Sequence, residues 1–310
     1  MDESMRQALA THIHVEVAIG RRTFEQVVRG AVDVWGREVD DHDLFVRTAG
    51  EIAGRAFADH LAAQAAWPEV TESDRLSMAM IDLAMAGILS RESYTDCLNC
   101  GTTEIGGELA KLPGMRGYTF YHQQDAQAAA GGGGVMLAYG ATGDGDATTI
   151  GAEIVAACRR RGLEAEWDGD ARQRVHVPVD WRRRRFGPLA GHPGAPTPPG
   201  GPAVPVTFCD YTSISGDDPV DMSVQECRDL LLWLTPHDGN FACYRGRSGP
   251  TLQFMWETGM RLWAETPDLA ARCSRGRHVT VDEALELITL HVRDGGIAPE
   301  DLGEARTVPW

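Results

Sequence analysis

At 310 residues, with 43% apolar and 24% charged side chains, the chain is long enough for two domains that each bury a core, and its composition is that of ordinary folded protein. The formal net charge of −16 argues against nucleic acid as the main partner, and the longest apolar stretches, such as Leu230–Leu234, are too short to span a bilayer. Seven cysteines, five of them isolated in sequence, fit a reducing compartment better than a disulfide framework.

In chain order, the first elements are helical. Thr23 and Gln26 have the spacing of a capping box, and Phe24, Val27, Val28, Ala31 and Trp35 follow on one face. A second helix is expected from Asp43 to Ala66, ending before Pro68, and a third from about Ser73 to Ala86. The third is apolar nearly all round, which predicts a buried position. Short strands are then expected at Gly117–Tyr121, Val135–Tyr139, Leu163–Trp167 and Val175–Val179, with a short helix from Gln123 and a longer one over Thr148–Arg161.

Residues 187–205, dominated by Gly and Pro, read as a semi-extended linker between a domain at 1–186 and a module at 206–310. Asp and Glu outnumber Lys and Arg by 28 to 20 before the linker and by 17 to 9 after it, so the second module is the more densely acidic. In that module a strand at Val206–Tyr211 precedes a helix opened by Ser223 and Glu226. Strands are predicted at Phe241–Tyr244, Leu252–Trp256, Met260–Glu265 and Ala271–Val279, and Thr280 with Glu283 caps a last helix that stops at Gly295. The implied fold class is α+β: a helical N-terminal region packed on a small mixed sheet, then a second small α+β module.

Cys97-Leu-Asn-Cys100 is the motif with the clearest chemistry. Two thiolates at this spacing can grip one zinc ion, and His122 and Cys158 are the candidates to complete a tetrahedral set. A redox pair is the other chemical reading, with a helix expected near Thr102 to lower a thiol pKa; packing thiols are the third. The loop Gly140–Asp146 lies where phosphate loops occur, but Asp144 and Asp146 would repel a phosphate, which leaves a turn and helix cap. His122, Asp125, Glu166, Asp168 and His176 are possible acid–base groups, yet nothing in the spacing gathers them and no nucleophile elbow is present. Arg159–Arg161 and Arg182–Arg185 could form a basic patch or meet the acidic module. Trp256, Glu257, Trp263 and Glu265 lie on adjoining strands and could form a protein-binding face, with Trp256 in the core as the competing reading.

Gly87-Ile-Leu-Ser-Arg91, Cys97-Leu-Asn-Cys100-Gly101, Gly117–Asp125, Leu137–Gly140 and Trp167-Asp-Gly169 resemble an uncharacterised bacterial domain family of unknown function, over about residues 70–185. The second module resembles, by pattern, small α+β immunity proteins of bacterial toxin systems, which implies a protein-binding role. The chain is therefore expected to be a cytoplasmic two-module binding protein whose partner is another protein, with no membrane or nucleic-acid partner. A metal-dependent enzyme or zinc protein built around Cys97 and Cys100 is the alternative. No basic and apolar leader opens the sequence, so no secretory signal is expected.

Overall fold

A computed structural model describes residues 1–37, 39–195, 202–211, 215–247 and 249–309. Three helices open the chain, α1 (Glu3–Ile19), α2 (Phe24–Trp35) and α3 (His42–Gln64). The capping box that starts α2 is formed: the Gln26 amide donates to Thr23 Oγ1 (3.4 Å) and the Thr23 amide to Gln26 Oε1 (2.9 Å). Val27 and Ala31 of α2 then pack with Leu9 and Ile13 of α1 and with Phe45, Ile52 and Phe57 of α3.

The next helix, α4 (Glu72–Met85), is capped by Thr71 and is buried on both sides, as its all-round apolar pattern predicts. Leu76, Ala79, Met80 and Leu83 join the core of the first sheet, while Met78 and Ile81 join the core of the second module. The first sheet has the order β1 (Ile88–Arg91), β2 (Gly117–Phe120), β3 (Val135–Ala141), β4 (Val175–Val177). β1 and β2 run parallel, joined across α5 (Leu98–Leu109); the other neighbours are antiparallel. Helices α6 (Gln123–Ala130) and α7 (Ala147–Arg160) fill the remaining connections. The expected strand at Leu163–Trp167 reduces to a single bridge, Glu166 to His176. All four residues of β1 are buried, so it carries no alternation by which a strand is recognised.

The ends of segment 187–205 are folded. Gly187–Ala190 forms a one-turn helix, α8, with Pro188 in its first turn and Leu189 fully buried, and β5 (Ala203–Cys209) already includes Pro205. Residues 196–201 lie outside the described set. A Gly/Pro-rich composition excluded a long element there but not one turn closed over a single leucine.

The second module is an antiparallel sheet in the order β11 (Arg306–Pro309), β10 (Cys273–Val279), β9 (Arg261–Asp268), β8 (Thr251–Glu257), β7 (Phe241–Arg245), β5, β6 (Ser215–Ser223). Helices α9 (Val224–Trp233) and α10 (Val281–Asp294) pack on the side that carries Leu252, Phe254 and Trp256. The two strands absent from the sequence reading, β6 and β11, are the sheet edges; β6 holds Pro219 and several acids, residues that edges use against further pairing.

The fold is α+β, and its two parts interlock. Met260, in the turn between β8 and β9, is buried beside Ile105 and Phe120 of the first sheet's cluster. Arg161 bridges Asp82 and Asp282 (2.7 Å each), Arg184 lies 3.0 Å from Asp74 and 3.7 Å from Asp229, and Arg228 lies 3.3 Å from Glu69. Most of the second arginine run is thus spent internally rather than displayed as a basic patch: Arg183, Arg184 and Arg185 are all buried, whereas Arg159 and Arg160 of the first run are exposed.

One consequence concerns pH. His60 on α3 lies with Nε2 3.0 Å from the Arg183 carbonyl, and burial together with the nearby Arg185 charge lowers its pKa to about 4. The unfolded chain takes up this proton near pH 6.5, the folded one only near 4, so stability falls as pH falls through that window. His60→Gln keeps a donor and is expected to flatten the slope, removing up to roughly 3 kcal/mol of the acid loss measured by urea unfolding between pH 7 and 4. An unchanged slope would show that His60 is not held neutral.

Candidate functional site

β1 ends at Arg91, and the segment to Cys97 turns sharply, with Ser93 (φ 49°) and Thr95 (φ 55°) in the left-handed region that non-glycine residues rarely enter. Backbone bonds hold it there: the Tyr94 amide donates to the Tyr121 carbonyl (2.8 Å) and the Gln123 amide to the Thr95 carbonyl (3.0 Å). Helix α5 follows, with Cys97 as its N-cap and Cys100 in its first turn, four residues earlier than the expected start near Thr102. Gly101 fixes the seat of this turn. A Cβ there would lie 2.4 Å from the Phe120 ring, so only glycine lets the helix approach β2 this closely.

The two sulfurs are 2.9 Å apart. The Cys100 thiol hydrogen bond, then the Cys100 and Asn99 amides at the helix N-terminus, favour a Cys97 thiolate and lower its pKa, against burial and the Asp96 charge. The same hydrogen bond raises Cys100. The pair therefore has a more acidic member and a protonated neighbour in reach of it.

Cys100 lines a 460 Å³ cleft where the two halves of the chain meet, between segment 91–96, α5 and residues 232–236 at the end of α9. Its floor is a charge network. Glu92 accepts from Arg183 (2.7 Å), Arg21 (3.1 Å) and the Tyr121 hydroxyl (2.8 Å). Burial alone would raise its carboxyl, but Arg183 and Arg21 prevail and hold it below the usual carboxylate range. Arg91 pairs with Glu108 (2.6 Å) and donates to the Pro236 carbonyl (3.1 Å), while Glu108 also accepts from the Tyr94 hydroxyl (2.7 Å). Arg21 reaches the Trp233 carbonyl (3.3 Å), so both arginines tie the cleft walls together.

Of the zinc set Cys97, Cys100, His122 and Cys158, the structure brings only the first two together. His122 is buried as the N-cap of α6, its ring 3.1 Å from Asp125, which in turn binds Arg174 (3.0 Å). Cys158 is fully buried on the inner face of α7, in the core of the first sheet, and burial pushes its thiol up to about 12. Among the described residues no group of three or more His, Cys, Asp or Glu side chains could hold a metal ion. Of the acid–base candidates, the structure pairs His122 with Asp125 (3.1 Å) and Glu166 with His176 (2.9 Å), while Asp168 accepts the Asp170 amide in its turn; Asp146, at the end of the Gly140–Asp146 loop, caps α7 as expected of a turn and helix cap.

The expected binding face is divided by strand register. Met255 pairs with Trp263, and Trp256 pairs with Leu262, which puts the two tryptophans on opposite faces. Trp256 is in the core at 1% exposure. Trp263 is on the outer face, its Nε1 donating to Glu265 (2.9 Å) and its ring covered by Arg306 and His278; Glu257 binds His278 (2.8 Å). No helix is long and apolar enough to cross a membrane among the described residues.

Compared with known proteins, residues 2–185 match a family model described as a domain of unknown function (DUF6891), extending the resemblance seen from about residue 70 to nearly the whole first half. No curated protein and no solved structure matches the chain.

Proposed function

The chain belongs to the DUF6891 family, and since a domain of unknown function brings no activity with it, we propose a function from the chain's own geometry: a thiol–disulfide protein whose working group is the Cys97–Cys100 dithiol. The observation that carries this reading is the 2.9 Å approach of the two sulfurs at the N-terminus of α5, beside an inter-module cleft. In the reaction, the Cys97 thiolate attacks a disulfide, one thiolate leaves, and Cys100 resolves the mixed disulfide, leaving Cys97–Cys100 oxidised and two thiols released.

The test is a titration of full-length protein across thiol–disulfide buffers, read by intact mass and thiol counting. A reversible loss of two hydrogens, abolished in Cys97→Ser/Cys100→Ser, is expected. No such transition would overturn the reading. Stoichiometric zinc retained under reducing conditions and lost in the double variant would replace it with the metal alternative, the remaining ligands then coming from outside the described chain.

A second reading, binding of another protein, rests on the outer face of the large sheet. Both α9 and α10 pack on the inner face, and Phe241, Cys243 and Met255 on the outer one are only half-buried, beside Glu257, Trp263 and Glu265. A partner captured by the protein and lost with Met255→Glu would support it.

A further inference from the structure

The charges around the dithiol are unequal in availability. Arg21 and Arg91, the cations lining the cleft, are already committed to Glu92 and Glu108. Asp96 and Glu104 line it too, are exposed, and make no ion pair among the described residues. Asp96 acts on both thiols through its charge, and Glu104 is one helical turn beyond Cys100 on the same face of α5. The charge in this cleft that no ion pair among the described residues takes up is therefore negative, and it favours a guest that brings positive charge.

We propose that the cleft delivers small disulfides bearing ammonium groups to the Cys97–Cys100 pair, with Asp96 and Glu104 as the residues that select them. This rests on the dithiol reading. The disulfide is the oxidant: Cys97 Sγ forms a bond to one of its sulfurs, the first aminothiol departs and takes a proton, and Cys100 Sγ then displaces the second. The protein dithiol is oxidised and the substrate is reduced to two aminothiols.

The experiment uses reduced full-length protein and three probes at low ionic strength: cystamine (cationic), bis(2-hydroxyethyl) disulfide (neutral) and dithiodiglycolate (anionic). Each oxidation rate is divided by that of dithiothreitol with the same probe, which removes differences in leaving-group acidity. Cystamine is expected to exceed dithiodiglycolate by about tenfold or more, a preference that shrinks with added salt. Asp96→Asn/Glu104→Gln should bring the ratio towards one, whereas Glu286→Gln, an exposed change on α10, should leave it unaltered. Equal or reversed normalised rates, or an equal response to Glu286→Gln, would overturn this proposal while leaving the dithiol reading intact. Oxidation by none of the three would overturn both.

Discussion

Arg185→Ala is expected to lower unfolding stability by more than about 3 kcal/mol, read by urea denaturation at pH 7. Arg185 is 1% exposed, and no carboxylate forms an ion pair with it among the described residues. Its guanidinium instead donates to three backbone carbonyls, those of Leu189 (2.7 Å), Val17 (2.7 Å) and Arg22, with the Phe57 ring 4.1 Å from Cζ. Val17 lies in the last turn of α1, where carbonyls lack helical partners and the helix dipole favours a cation. One side chain therefore ties the end of α1, the approach to α2 and the turn of α8. Alanine would leave those carbonyls buried without a donor and open a cavity beside Phe57. Arg185→Lys should also destabilise, because one ammonium cannot reproduce the fork that reaches all three. A loss under about 1 kcal/mol for alanine would mean that water replaces the guanidinium easily.

Glu92→Gln is the second large effect, expected at about 3 kcal/mol. The carboxylate sits between Arg183 and Arg21 and accepts the Tyr121 hydroxyl; an amide of the same size leaves two guanidiniums facing each other without a countercharge. The sign with pH is fixed by its lowered pKa. Its contribution is fully present above the unfolded carboxyl value near 4.5 and is lost as pH falls through the lower folded value. The wild type and the variant should therefore differ most at neutral pH and converge in acid. A constant difference across that range would assign the loss to packing rather than charge. Because Arg21 also holds the Trp233 carbonyl, the variant should loosen the cleft wall and change the accessibility of Cys100 to a thiol reagent.

Local chemistry was legible where neighbours in sequence act on each other. The capping boxes at Thr23, Ser223 and Thr280 are formed where their spacing places them, and the last helix stops at Gly295 in the left-handed conformation. The Cys97–Cys100 spacing also held, since four residues of one helical turn bring their own side chains together. His122 and Cys158 failed as companions for the opposite reason: their positions depend on α6 and α7, which turn one into a cap and bury the other. β1 was hidden by complete burial, and β6 and β11 by the charged and proline-bearing composition of edge strands.

By itself, then, the sequence determined the α+β class, most helix starts, the buried character of α4 and the dithiol, all consequences of periodicity and spacing over a few residues. Tertiary structure decided what α4 is buried against, which face each tryptophan takes, and that Arg183–Arg185 are interior. It also made the cleft, whose walls come from Arg21, Arg91–Asp96 and Leu232–Pro236. Those outcomes depend on strand register and on contacts between residues far apart in the chain, and a local pattern carries no record of which distant surface will close over it.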